Sequence, residues 1–251
     1  MKIKAKILAV ATILAFAPAV AWSATGGAGL AGTAHDFSSK GGGVGVCTFC
    51  HTPHRAITTQ LLWNHTLSTA TFSWDVAKTT AGTNFPSFKG DTYTGPSAKC
   101  LSCHDGTVAV GDIAWWNEGK PVVPLDNTKH TWPDTFNVGA TGGVVGSMKG
   151  NHPVAMPYPY LGAANTYNGT TTGAGATLGE WVTTPASPIR MFNDDGSGII
   201  TAGVVAAKTG IECSSCHDPH NKASVDDLFL RGKMRGSTLA DGYICVQCHI
   251  K

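Results

Sequence analysis

The chain has 251 residues, a formal net charge of +2 at pH 7 and only 14% charged residues, while 42% of its residues are hydrophobic. This near-neutral balance excludes the basic surface expected of a nucleic-acid-binding protein or of a protein held on an acidic membrane. The length suits one domain. Glycine is abundant, with 31 residues, and long amphipathic segments are scarce, so the polypeptide alone would build only a modest core.

The first 23 residues have the layout of a secretory signal peptide. Three lysines precede an apolar run from Ile7 to Ala21, and small residues follow it. About 15 apolar residues are few for a bilayer span. We expect cleavage after Ser23, with cleavage after Ala21 as the alternative, and export of residues 24–251 as a single domain. No later stretch is long or apolar enough to cross a membrane.

Four Cys-x-x-Cys-His motifs contain every cysteine of the chain. The cysteines are Cys47 and Cys50, Cys100 and Cys103, Cys213 and Cys216, and Cys245 and Cys248; the histidines are His51, His104, His217 and His249. Two thiols at this spacing can add to the two vinyl groups of one haem, and the next histidine can bind its iron. The sequence therefore predicts four covalently bound c-type haems.

Two other chemistries use paired cysteines. Zinc is bound by two Cys-x-x-Cys groups in many structural sites, but zinc does not explain a histidine after every pair. A thioredoxin-like redox role is weaker still, because no repeated strand–helix–strand unit surrounds the motifs.

The motifs fall into two pairs that resemble each other. The leading motif of each pair continues as Cys-His-x-Pro-His, ending at His54 and at His220, whereas the trailing motifs lack the extra histidine. This indicates two-haem modules at about residues 35–110 and 205–251. We expect a mostly irregular chain with short helices and few strands, wrapped around four haems.

Local patterns predict few regular elements. A helical turn is expected at each motif, and it should end early where proline follows the histidine. Residues 198–205 are apolar and β-branched and predict a strand or hairpin. Residues 165–179 are rich in glycine, threonine and alanine and predict a loop.

A second axial ligand on each iron is needed if the haems only carry electrons, and histidines outside the motifs are numerous enough to supply it. The distal candidates are His54, His220, His152, His65 and His35. His130 lies in a polar segment and is the weakest candidate. Bis-histidine ligation favours low-spin iron at low potential.

Geometry restricts two of these candidates. The axial positions of one haem lie on opposite faces of a wide ring, so a histidine three residues after the proximal one cannot reach the far face. His54 and His220 should therefore each bind a neighbouring haem. His35 follows a glycine-rich arm, residues 25–33, which could reach a haem of its own chain or of another subunit and so allow head-to-tail assembly.

Several segments resemble one family in the same order along the chain. They are Ala34–Phe37, Cys47–His54, Leu62–His65, Cys100–Ala109, Asn151–Pro153 and Glu212–His220. They look like the exported multihaem cytochromes of metal-reducing bacteria, and most like the filament-forming, OmcE-type tetrahaem outer-surface cytochromes. The resemblance implies bis-histidine haems stacked in a continuous line, with a histidine of one subunit completing a haem of the next. By position, His35 matches that donor.

The sequence therefore favours a non-enzymatic electron-transfer protein. The resemblance adds polymerisation into an extracellular or cell-surface filament, with other redox cytochromes and external acceptors such as metal oxides as partners. A discrete periplasmic shuttle is the main alternative. A multihaem reductase is a further one, and it would need an iron with an open position and nearby acid–base groups.

Overall fold

The computed structural model describes most of the chain from residue 27 onward. The described residues are 27–38, 45–54, 56, 60–73, 95–108, 110–113, 138, 143–172, 178–197 and 199–250. The predicted signal peptide and His130 lie outside them. Within the described residues, no helix is long and apolar enough to cross a membrane.

Irregular backbone dominates the described residues, and the two α-helices both carry cysteine motifs. Helix α1 spans Pro96–His104, and the single-turn helix α2 spans Cys213–Cys216. Proline at the start of α1 suits its first turn, because the missing N–H would have no helical partner there. Among the described residues, single 3₁₀ turns span Gln60–Leu62, Tyr160–Gly162, Leu178–Glu180 and Cys245–Gln247.

In the part of the chain that the structure describes, six short strands form two antiparallel sheets. The strands are β1 Met156–Pro157, β2 Thr166–Tyr167, β3 Thr170–Thr171, β4 Phe192–Asp194, β5 Ile200–Ala202 and β6 Thr209–Ile211. The larger sheet has the order β1-β6-β4-β5, and β2 pairs with β3. Strand β5 lies in segment 198–205, as predicted. The loop prediction for 165–179 was wrong at its start, where β2 and β3 form a hairpin.

The described apolar core is divided into three small clusters rather than one. They are Ala155, Tyr167, Phe192 and Ile200; Phe37, Phe49 and Ile113; and Tyr158, Trp181, Ile189 and Met191. Cys50 packs against the cluster of Phe37, and Cys248 packs against the cluster of Tyr158. In the remaining cluster, the Tyr167 hydroxyl donates to Glu212, the residue before the third motif. The core is thus built around the motifs.

Gly210 allows the two sheets to approach each other. A methyl group at this position would lie 2.4 Å from Cγ of Tyr167 and 2.5 Å from the carbonyl oxygen of Met156. Both neighbours are buried, at 0% and 3% exposure, so neither can move aside easily.

We predict that Gly210→Ala lowers the free energy of unfolding by about 1–3 kcal/mol, because overpacking forces neighbours out of place. Gly179→Ala is the control, since a methyl group there would meet nothing within 4 Å. Urea denaturation followed by tryptophan fluorescence measures both variants. Equal stability of the two variants would contradict the tight approach at Gly210.

Candidate functional site

All four cysteine motifs fold as helical turns. In α1 and α2 the turn is α-helical, whereas in the first and last motifs it is a single hydrogen-bonded turn. The histidine N–H donates to the carbonyl oxygen of the first cysteine at 2.9 Å in Cys47–His51 and in Cys245–His249, and at 3.0 Å in Cys213–His217. Because residues three apart lie on one face of such a turn, both thiols of a motif project to the same side.

The eight thiols are free and mostly shielded from water. Burial, together with the thiol of Cys47, raises the pKa of Cys50 to about 11. Burial, together with the nearby Cys50, raises the pKa of Cys103 to about 12. Among the described residues, which include every cysteine, no three His, Cys, Asp or Glu side chains converge as a metal-ion site. The paired thiols are therefore not gathered into four-cysteine groups.

Three motif histidines pair with a common kind of segment, which we call the docking segments: residues 60–63, 178–181 and 227–230. The antiparallel backbone pairs are His51 with Trp63, His249 with Trp181 and His217 with Leu230. In each pair, the residue that follows the motif histidine donates its backbone N–H to the carbonyl oxygen of the residue that precedes the partner. The residue that follows the partner donates its backbone N–H to the carbonyl oxygen of the second cysteine of the motif. Sequence reasoning missed these segments, although the similar runs Leu61–Trp63 and Leu228–Leu230 were a visible signal.

The docking segments orient the imidazole rings. Nδ1 of His51 lies 2.6 Å from the carbonyl oxygen of Leu61, and Nδ1 of His217 lies 2.7 Å from that of Leu228. A proton on Nδ1 leaves Nε2 with a free lone pair, which is the arrangement found in metal-binding histidines. Leu61 and Leu228 have φ values of 61° and 58°, a left-handed conformation that costs about 1–3 kcal/mol and persists mainly at functional sites.

Large apolar side chains are exposed beside these histidines. Leu61 and Leu228, at equivalent places in two docking segments, are 57% and 55% exposed. The buried indole N–H of Trp63 has no hydrogen-bond partner in the described structure. A porphyrin would cover the two leucines, and its propionates could accept the indole hydrogen bond. The residues present therefore fit a c-type haem.

Three motif histidines each face a second histidine from outside the motifs. The ring centroids are 6.1 Å apart for His51 and His220, 6.0 Å for His104 and His35, and 6.2 Å for His249 and His152. Two imidazoles that bind opposite faces of one metal ion at about 2 Å have centroids roughly 6 Å apart. The spacing is thus that of a bis-histidine site, and these six histidines could hold three haem irons.

His35 belongs to a docked segment. Its ring stacks on Phe229 at 4.6 Å, and its Nδ1 lies 3.3 Å from the carbonyl oxygen of Pro219. Two hydrogen bonds between Gly29 and Asn221 hold the preceding arm to the same chain. Burial, with a smaller contribution from His104, lowers the pKa of His35 to about 4, so the ring is neutral at pH 7 as an iron ligand must be.

His65 does not share this arrangement. The side chain is fully buried, with Nδ1 3.0 Å from the carbonyl oxygen of Thr66 and Nε2 3.2 Å from that of Val110. Because both ring nitrogens face carbonyl oxygens, neither is directed at an iron site. The structure therefore does not bring His65 to a motif histidine, and its candidacy as a distal ligand stays a prediction.

His217 and His54 remain without an opposite histidine. In the described part of the chain, the ring of His217 has no second histidine ring at the spacing of the other three pairs, and the exposed ring of His54 contacts no histidine. Of the five distal candidates, the structure thus brings three to motif histidines.

The four motifs form one continuous group. The thiols of Cys100 and Cys213 lie close enough to shift each other's pKa, that of Cys100 upward and that of Cys213 downward. After burial and the charge of Cys213, the charge of Cys245 contributes to raising the pKa of Cys216 to about 11. Together with the proximity of Cys50 to Cys103, these contacts link each motif to the next.

A buried ion pair supports the third motif. Asp218, next to His217, lies 3.5 Å from the guanidinium of Arg231, and the two side chains are only 8% and 6% exposed. Burial alone would raise the pKa of Asp218, but backbone N–H groups and the Arg231 charge hold it below its usual value. Arg231 also donates to the carbonyl oxygen of Ser214, so it ties the docking segment to α2.

We predict that Arg231→Met lowers the free energy of unfolding by about 3–5 kcal/mol, because it leaves the buried carboxylate of Asp218 without its counter-charge. Arg235→Met is the matched control, since Arg235 is exposed and a surface substitution should change stability by at most about 0.5 kcal/mol. Thermal or urea unfolding of the purified protein compares the two. A cost below 1 kcal/mol for Arg231→Met would show that the pair does not support the motif.

No protein-family model matches the chain, and no curated protein matches it.

Proposed function

We propose that this protein is an electron-transfer protein that carries four covalently bound c-type haems and catalyses no reaction of its own. One observation carries the proposal: three motif histidines, each following two paired thiols, face a second histidine at 6.0–6.2 Å. When bound, each haem iron would take up and release one electron. The chain's own residues supply the covalent anchors, the axial nitrogens and the shielding from water.

The closed arrangement of histidines supports electron transfer over catalysis. A substrate-reducing haem needs an open axial position with acid–base groups beside it. Here two neutral imidazoles would occupy both axial positions of three irons, and backbone carbonyls restrain the rings of His51, His35 and His152. Fixed ligands favour small structural change on oxidation and reduction.

The contact between successive motifs supports transfer from haem to haem. The thiols of Cys100 and Cys213 lie close enough to shift each other's pKa, and on this proposal they anchor two different haems. Haems attached at those sulfur atoms would therefore be close neighbours. Electrons could therefore pass along the chain without a diffusing carrier.

We predict four haems per chain in protein produced in a host that attaches c-type haem. Pyridine haemochrome absorbance and the intact mass measure the number, and Cys245→Ala with Cys248→Ala should lower it to three. The ferric protein should be low-spin at least at the haems of His51, His104 and His249. Protein without covalent haem would overturn the proposal.

The repeated Cys-His-x-Pro-His segments support head-to-tail assembly. His220, from the second module, faces His51 in the leading motif of the first module. By the same relation, His54 from the first module should face His217 in the second module, but no such contact is made within the described chain. We propose that His54 completes the His217 haem of a neighbouring copy, which gives an open polymer.

This assignment differs from the one that the family resemblance implies. His35 matches the intersubunit donor by position in the sequence, yet its ring is docked against His104 of its own chain. His54 is exposed and available to a second copy. On this proposal the exported protein forms a cell-surface or extracellular filament, which passes electrons from other redox cytochromes to external acceptors such as metal oxides.

We predict that His54→Ala abolishes filaments while four haems remain attached, and that one haem per chain becomes high-spin. His35→Ala is the matched control: it should also open one iron, that of His104, but leave polymerisation intact. Negative-stain electron microscopy and the ferric absorption spectrum distinguish the two variants. Filaments of His54→Ala would contradict this assignment.

A second function is favoured by one observation, the lack of a histidine opposite His217 in the described chain. If the native protein stays monomeric, that iron would keep an open position. All four haems low-spin in a monomer would indicate a periplasmic shuttle, whereas one high-spin haem in a monomer would favour a reductase.

A further inference from the structure

Glu212 is a fully buried carboxylate placed directly before the third motif. Its Oε2 accepts hydrogen bonds from the backbone N–H of Ser97 at 3.1 Å and from the Ser97 hydroxyl at 2.5 Å, and its Oε1 accepts one from the Tyr167 hydroxyl at 2.6 Å. The backbone N–H of Ser215 also donates to it as part of a capping box. So many donors stabilise an ionised carboxylate in a dry site.

These bonds join two attachment motifs that are far apart in sequence. Ser97 lies in the first turn of α1, one turn before Cys100, and its hydroxyl oxygen accepts the backbone N–H of Cys213 at 2.9 Å. The thiols of Cys100 and Cys213 also lie close enough to shift each other's pKa. Glu212 therefore acts where the second and third motifs meet.

A buried lysine lies at the same junction. Lys99, next to Cys100, is 3% exposed, and its Nζ donates to Oε1 of Gln60 at 2.9 Å. Burial lowers its pKa, while the charges of Cys100 and Glu212 oppose that shift. Opposite charges thus sit within electrostatic reach of one pair of haem anchors, in surroundings where Coulomb interactions are stronger than in water.

We propose that Glu212 holds the second and third motifs in contact and lowers the reduction potentials of the two haems bound there, and that Lys99 raises the same two potentials. This inference rests on the proposed function. Ferric haem carries one more positive charge than ferrous haem, so a fixed buried anion stabilises the ferric form and a fixed buried cation destabilises it.

The test is a spectroelectrochemical titration of the haem-loaded protein. At a fixed applied potential, Glu212→Gln should raise the ferrous-to-ferric ratio about tenfold at two of the four haems, a shift of about 59 mV for a one-electron couple. Lys99→Met should lower that ratio at the same two haems, and the double variant should return towards the wild-type curve. Glu212→Asp keeps the charge and should keep the potentials low.

Asp195→Asn is the matched control, because it removes one carboxylate charge from an exposed turn between β4 and β5. It should leave the titration unchanged. If the Glu212→Gln variant does not fold into haem-loaded protein, the Lys99→Met variant still tests the inference, because its two haem potentials should shift in the opposite direction. Soret circular dichroism adds a second readout, since it reports the contact between neighbouring haems.

The two proposals fail in different ways. A wild-type protein without covalent haem would remove the proposed function and this inference with it. Four haems in the wild type, with titrations of Glu212→Gln and Lys99→Met that overlay the wild-type curve, would overturn only the inference. Equal shifts for Glu212→Gln and Glu212→Asp would assign Glu212 to packing and also overturn its electrostatic role.

Discussion

The structure depends on the pairing of motif histidines with the docking segments. A backbone carbonyl in such a segment faces Nδ1 of His51 and of His217, which orients the ring and leaves Nε2 for a ligand. The same pairing brings a tryptophan or leucine against the motif. The backbone pairing is used three times and sets the chain path and the apolar surroundings. At His51 and His217 it also sets the ring direction.

This pairing is costly for the polypeptide alone. In the docking segments 60–63 and 227–230 it places leucine and phenylalanine in left-handed backbone, and it leaves large apolar side chains in water. The three core clusters are too small and too separate to offset such costs easily. Four porphyrins would cover the exposed leucines and join the clusters, so on the proposed function folding and cofactor attachment are parts of one process.

The internal repeat extends the same logic from one chain to several. His220, the second histidine of one Cys-His-x-Pro-His segment, faces His51, the first histidine of the other. Within the described part of one copy, the reciprocal contact between His54 and His217 is not made. On the proposed function, His54 of one copy makes this contact with His217 of the next, which supports polymerisation. Buried charges at the junction of α1 and α2 would then give neighbouring haems different potentials along the line.

The sequence by itself determined the four thiol pairs and their histidines, from which covalent haem attachment is predicted, because each pair and its histidine lie within five residues and need only one helical turn. It also indicated the two modules through the repeated Cys-His-x-Pro-His segments. It could not pair each distal histidine with a motif histidine, since the two faces of a haem would be reached by residues far apart in the chain. Only tertiary structure placed His220, His35 and His152 against motif histidines. It likewise turned His65 toward two carbonyl oxygens and buried Glu212 between two motifs, because each depends on long-range packing rather than on local spacing.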